Sequence, residues 1–214
     1  MAPRVSEDHK DQRQQQILDA AENVFIQRGF NATSMQNIID ESGISRGGIY
    51  TYYKNTEDIF LAIMKRRDDS SFEEKIPVSQ EHRSTWKEVN DMIDDFRDFI
   101  EGMPESLAPA LFEYYFTTGW HSHKHLPILE SRYGKAIQMM VHLFEEGVES
   151  GEFQPQLPLD SIAWTLISFF DGLGFAMMQI QRELFQMDEQ IESIRFYLKS
   201  ALNPVEIKNS HYTS

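Results

Sequence analysis

Residues Thr33 to Ile59 read T-S-M-Q-N-I-I-D-E-S-G-I-S-R-G-G-I-Y-T-Y-Y-K-N-T-E-D-I, and the fold turns on this stretch. Two short helical patterns meet at Gly43. Ser34 stands where an N-cap belongs, with Ile38 and Ile39 set to face inward. Ser42-Gly43 forms the turn, and Ser45 caps a second pattern running to about Tyr52. That pattern contains Gly47 and Gly48, each about 1 kcal/mol less favourable than Ala in a helix interior. The cost suits a backbone that must approach another surface closely. Tyr50, Tyr52 and Tyr53 add planar, amphipathic side chains, two of them with hydroxyls able to reach phosphates. A helix entering a DNA major groove needs an unobstructed leading face, so the stretch reads as a helix-turn-helix. Composition alone fits a blander reading equally well: the glycines mark a turn and the tyrosines are core.

Outward from this pair, nearly every segment repeats at helical spacing, and hardly any alternates long enough to make a strand. Ile17, Ala21, Val24, Phe25 and Arg28 outline a preceding helix that Gly29 ends, and Asn55 or Thr56 caps a following one. Glu57 and Asp58 occupy the first turn of that helix, where the dipole favours carboxylates, and Ile59, Phe60, Ile63 and Met64 form its inner face. Residues 72–83 are polar, contain Pro77, and read as a connection. Trp86, Val89, Ile93, Phe96, Ile100 and Met103 then stripe a helix whose other face is acidic and solvated. Pro104 opens a helix carrying Leu107, Leu111, Phe112, Tyr115 and Phe116; a histidine-bearing loop and a helix from Tyr133 to Val148 follow. Residues 159–182 are apolar almost all round, whereas 187–202 carry a single stripe. The predicted fold is all-α with about nine helices. The expected division is a helix-turn-helix head over 1–54 with a frayed N-terminus, a connecting helix over 55–75, a helical body over 76–204 and a flexible tail over 205–214.

The chain has 214 residues and no cysteine, which excludes disulfides, thiolate metal sites and cysteine nucleophiles. No apolar leader opens it, so a cytoplasmic protein is expected. Ser161 to Ile180 has the length of a membrane span, but Asp171 at its centre and its flanking glycines favour a buried helix. The net charge of −14 is unevenly spread: residues 1–67 carry 9 Lys/Arg and 9 Asp/Glu, residues 68–214 carry 11 and 25. A neutral head beside an acidic body is compatible with DNA binding, though charge alone supplies no argument for it.

Thr33, Ile38, Gly43, Ser45, Gly47, Ile49, Tyr50, Tyr53, Asn55, Glu57 and Ile59 form a pattern. With I-L-D-A-A-E-N-V-F-I-Q-R-G-F from Ile17 to Phe30, it resembles the DNA-binding head of TetR-type (TetR/AcrR) transcriptional regulators. The resemblance is specific over about residues 13–64. Over the body it is generic, resting on helix order, G-E-F at Gly151 to Phe153 and D-G-L at Asp171 to Leu173. It implies that Thr33 and Tyr50 bind phosphate, and that Ser34, Arg46, Gly47, Gly48, Thr51 and Tyr52 face base edges or adjacent backbone. Arg46 is the side chain best suited to a bidentate contact with guanine. Ser45 and Lys54 join the expected DNA-facing set, Lys54 on charge and location alone. Three residues depart from the pattern: Ile39 and Ser42 replace usual alanines, and Thr56 replaces a usual lysine. The Thr56 hydroxyl and the helix N-terminus can still hold a phosphate, so weaker salt-sensitive binding is expected rather than none.

Such heads act in pairs on palindromic double-stranded operators, and the family pairs its last two helices across a twofold axis. Ile162, Leu166, Phe169, Leu173, Ile191, Ile194 and Leu198 are the homodimer candidates, there or in the adjoining core. The resemblance also implies a cavity for a small hydrophobic ligand. Trp86, Phe96, Phe99, Phe112, Tyr115, Phe116, Trp120, Tyr133, Met140, Phe144 and Phe170 are its candidate lining. Glu113 and Asp171 would suit a cationic ligand if buried without a basic partner; otherwise Glu113 points to solvent and Asp171 is a hydrogen-bonded packing residue. His121, His123, His125 and His142 lack supporting carboxylate or cysteine spacing, so they read as surface histidines with no metal or cofactor. The leading expectation is a regulator, typically a repressor, released from its operator by a ligand. The alternative is a DNA-binding module without a small-molecule effector, controlled by a protein partner. A helical enzyme using His121, His123 or Glu113 ranks last, because no nucleophile–base pattern or phosphate loop accompanies them. The inducer, the operator and the choice between repression and activation are not legible.

Overall fold

The computed structural model describes residues 7–73 and 84–205. The frayed N-terminus, most of the polar connection and nearly all of the tail, expected from the sequence, thus lie outside the described residues. Eleven α-helices are present among the described residues, with no strand beyond an isolated bridge between Phe153 and Pro204. They are α1 (Glu7–Arg28), α2 (Met35–Ser42), α3 (Arg46–Tyr50), α4 (Thr56–Glu73), α5 (Thr85–Gly102) and α6 (Ala108–Phe116). Then come α7 (Thr118–Ser122), α8 (Leu126–Glu149), α9 (Leu159–Met177), α10 (Arg182–Phe185) and α11 (Met187–Leu202). The two beyond the expected nine are α7 and α10, of five and four residues. Neither is long enough to show a period in sequence.

The described residues fall into two compact units, one within 1–76 and 104–130, the other within 77–103 and 131–214. The first therefore takes in α6 and α7 as well as the helix-turn-helix. Ile17, Ala21 and Phe25 of α1, Ile38 of α2, Ile49 of α3 and Ile59, Phe60 and Ile63 of α4 are all buried in its core. Tyr114 of α6 completes an aromatic cluster: its ring lies 4.9 Å from Phe30 and 5.2 Å from Phe60, and Phe25 lies 4.8 Å from Phe60. Each such pair contributes about 0.5–1.5 kcal/mol beyond burial. α1 ends because Gly29 adopts φ +77, a left-handed conformation that side chains oppose.

The second unit packs α5, α8, α9, α10 and α11 around Val89, Ile93, Met140, Phe144, Ile162, Leu166, Phe170, Ile191 and Leu198. The G-E-F sequence has a structural use here. The buried Glu152 carboxylate accepts hydrogen bonds from Thr85 N (2.7 Å), Trp86 N (3.2 Å) and the Ser84 hydroxyl, so it caps α5 from a distant part of the chain. Phe153 packs where Gly147 has no side chain, and Val205 N donates to Glu152 O at 2.7 Å. No helix among the described residues is long and apolar enough to cross a membrane.

Candidate nucleic-acid interface

Local chemistry sets both short helices. Ser34 and Asn37 form a reciprocal capping box on α2: Asn37 N donates to Ser34 Oγ (3.3 Å), and Ser34 N donates to Asn37 Oδ1 (3.0 Å). Gly43, at φ +65, closes α2 through Gly43 N to Ile39 O (3.1 Å). Ser42, which departs from the usual alanine, is built into the turn. Its hydroxyl accepts from Ile44 N (3.3 Å), and its carbonyl accepts from Gln16 Nε2 of α1 (3.0 Å). Ser45 then caps α3, accepting from Gly48 N at 3.3 Å. Asn55 is the cap of α4, since its side chain accepts from Asp58 N at 2.8 Å and Asp58 accepts in turn from Lys54 N at 3.2 Å.

Ile49 and Tyr53 point into the core, and burial raises the Tyr53 pKa. The opposite side of α3 is open: Arg46, Gly47, Tyr50 (43% exposed), Thr51 and Lys54 face outward with Ser34 and Ser45, and Gly48, Tyr52 and Thr56 are half-buried. Arg46 Nη2 donates to Gln36 Oε1 (2.7 Å), which aligns the guanidinium along the exposed side of α2. Two hydroxyls are committed to the backbone: Thr33 is buried and donates to Gly29 O (2.6 Å), and Thr51 donates to Gly47 O (2.8 Å). The two glycines differ. A Cβ on Gly48 would lie 2.9 Å from Ile44 Cγ2, so packing demands glycine there. A Cβ on Gly47 would meet nothing within 4 Å, and its φ is ordinary. No internal contact accounts for glycine at 47. Of the nearby cations, Arg66 already pairs with Asp19 and Glu22 (2.6 Å each), and Arg67 with Glu22.

The expected ligand-lining residues divide between the two units. Phe112, Glu113, Tyr115, Phe116 and Trp120 belong to the first, and Phe116 and Trp120 are exposed, Trp120 by 65%. Glu113 does not simply point to solvent. Its Oε2 accepts from Asn31 N (3.0 Å) and its carboxylate fills the space beside Gly29. Trp86, Phe96, Phe99, Tyr133, Met140, Phe144, Phe170 and Asp171 belong to the second unit. Phe96 and Phe170 stack at 4.0 Å, Trp86 meets Phe153 edge-on, and Phe99 is exposed. Asp171 sits at an exposed position. Loss of solvation still raises its carboxyl pKa, against the pull of Arg132 and of the Tyr133 hydroxyl, which donates to it at 2.6 Å. A cavity of about 430 Å³ in this unit is lined by Glu101, Met177, Arg182, Gln186 and their neighbours, and by none of the expected aromatics.

The pairing candidates and the histidines each divide between core and surface. Ile162, Leu166, Leu173, Ile191, Ile194 and Leu198 are buried in their own unit, and of the pairing candidates only Phe169 is exposed. The outward apolar side chains of α9 and α11 are Phe169 together with Trp164, Phe175 and Phe196, the last three absent from the apolar stripes because a stripe marks the core side. The histidines are not all on the surface. His125 is 6% exposed, burial lowers its pKa, and its Nδ1 lacks a hydrogen-bond partner beside Gly119. Among the described residues no group of three His, Cys, Asp or Glu could hold a metal ion.

Residues 17–63 match the family model for bacterial regulatory proteins of the tetR family, and residues 88–194 match the tetracyclin repressor-like C-terminal domain. An uncharacterized HTH-type transcriptional regulator, YfiR, from Bacillus subtilis is 35% identical over 206 residues, which span 96% of this chain and 100% of the relative. The HTH-type transcriptional repressor KstR2 of Mycolicibacterium smegmatis is 23% identical over 150 residues, 70% of this chain and 72% of its own. A TetR transcriptional regulator from Chloroflexus aurantiacus shares the fold with a TM-score of 0.72 at 18% identity, over 92% of this chain and 98% of its own.

Proposed function

Because the chain belongs to the TetR family of bacterial regulatory proteins, we propose that it is a cytoplasmic repressor that binds a palindromic operator as a homodimer and is released by a small hydrophobic ligand. The family is one of DNA-binding regulators, not of enzymes, and its members act as dimers. The observation that carries the reading is the open face of α3, where Gly47 has no internal reason to be glycine and Arg46, Tyr50 and Lys54 stand clear of the core. On a duplex, Gly47 would let the helix backbone close on the groove, Arg46 would read a base edge, and Tyr50, Lys54 and the N-terminus of α4 would hold phosphates. Two heads roughly 34–36 Å apart would meet successive major grooves. A ligand favouring any other separation would release the operator.

A second reading, regulation without a small-molecule effector, is favoured by the second unit itself. The Phe96–Phe170 stack occupies the aromatic interior, and the cavity of about 430 Å³ is lined chiefly by charged side chains. Titration of the purified protein onto DNA from upstream of its own gene, at several salt concentrations, tests the shared premise. Salt-dependent dimeric binding that Tyr50→Ala weakens at least about tenfold is expected. Binding indifferent to Tyr50 sinks the reading. A panel of hydrophobic compounds that neither shifts Tm nor releases DNA favours the second reading.

A further inference from the structure

The helix-turn-helix is held at both of its flanks by one segment distant in sequence, running from Glu113 to Lys124. Ahead of α2, Glu113 Oε2 accepts from Asn31 N (3.0 Å), and the carboxylate occupies the place where a side chain on Gly29 would sit. The Thr117 hydroxyl lies 3.1 Å from Asn31 Oδ1, and Thr33, two residues on, donates back to Gly29 O. Behind α3, Glu57 in the first turn of α4 accepts from the Tyr114 hydroxyl (3.1 Å) and from Lys124 Nζ (2.6 Å). Lys54 and Asn55, a few residues after α3, are fixed to that same turn through Asp58.

Between the clamped points lie α2, the Gly43 turn and α3, a pair of helices too short to keep their angle by themselves. Their inward anchors are Ile38, Ile44, Ile49 and Tyr53, with Met35, Ile39 and Tyr52 partly buried beside them and Gln16 of α1 donating to Ser42 O. We propose that Glu113 and Lys124 are positioning residues for DNA binding: α6, α7 and the loop to Lys124 form a two-point brace that fixes the helix-turn-helix at Asn31 and at Glu57. Neither side chain needs to touch DNA. The hydrogen bond to a charged acceptor at Asn31 sets where α2 starts, and the ion pair at Glu57 sets where α3 must end. Anything that shifts α6 would move both flanks together. The effect on operator affinity rests on the DNA-binding reading above; the brace itself does not.

The test compares full-length wild type, Glu113→Ala, Glu113→Gln and Lys124→Met in two measurements, amide hydrogen exchange without DNA and operator affinity across salt. Lys124 is largely exposed, so its variant tests the brace even if Glu113→Ala folds poorly. Exchange over residues 31–53 is expected to rise roughly tenfold in Glu113→Ala and Lys124→Met, with the amides of α1 and the middle of α4 unchanged. Operator affinity should fall roughly tenfold with a shallower salt slope, because misaligned heads make fewer phosphate contacts. Glu113→Gln should stay within about threefold of wild type, since its amide oxygen can still accept from Asn31 N. Unchanged exchange at 31–53 would overturn the brace, as would a loss of protection spread evenly over the unit, or a Gln variant as impaired as Ala. Wild-type protein that binds no operator overturns the proposed function instead, and the exchange pattern then decides the brace by itself.

Discussion

Glu57 and Tyr114 show how much one buried contact can ask of two ordinary side chains. Desolvation pushes the Glu57 carboxyl up, but hydrogen bonds from Lys124, Ser122 and Tyr114 outweigh it and hold the group below its usual range. The phenol of Tyr114 responds in the other direction: burial first, then the adjacent Glu57 charge, pushes it up to about 12 against an ordinary value of 10.0, with Ser122 opposing. The folded protein therefore keeps a proton that the unfolded chain releases near pH 10. Stability from this group is whole below that pH and is lost as pH rises towards about 12. Tyr114→Phe keeps the ring in its aromatic cluster and removes the ionisation. The expected result is a lower Tm at neutral pH with a flatter decline above pH 10, measured by circular dichroism across pH. An unchanged alkaline decline in the variant would assign it to other groups.

At the scale of the element, α3 is poised between being a good helix and being a good reader. Gly47→Ala is sterically free and improves helix propensity, so it should stabilise the protein by up to about 1 kcal/mol in urea unfolding. In the same protein operator affinity should fall, since a methyl group would stand on the reading face. Gly48→Ala should give no such gain, because Ile44 and Ser45 would have to move. Gly47 and Gly48 were legible in the sequence as a pair but not apart, for adjacent identical letters say nothing of which one the core crowds. Caps and periods gave the rest of the head: Ser34, Gly43 and Ser45 act locally, within three or four residues, and local rules find them. Glu152 capping α5, or Glu113 filling the space at Gly29, joins residues more than sixty apart, and no spacing rule reaches that far. Six of the seven dimer candidates lie in the adjoining core for a related reason. The apolar stripes of α9 and α11 mark what the chain buries in itself, and the surface left for a partner is the remainder.

For the whole molecule that remainder is decisive, because one short recognition helix spans too few base pairs to select an operator. Phe196 is 74% exposed on α11, with Trp164, Phe169 and Phe175 exposed on α9. Phe196→Glu is expected to leave the fold and Tm of the helical units nearly intact, yet to give a monomer by light scattering with at least about a hundredfold weaker operator binding. A dimer of normal affinity would place the pairing surface elsewhere. The path of the chain carries a consequence of its own. It builds part of the first unit, leaves to make α5, returns as α6 and α7, and leaves again. A head cut out at residue 76 would expose the faces of Phe30 and Phe60 that Tyr114 covers, and would lose both Glu113 and Lys124. For an exchanged head to keep this packing, the detached stretch from Glu113 to Lys124 would have to travel with it or already match it.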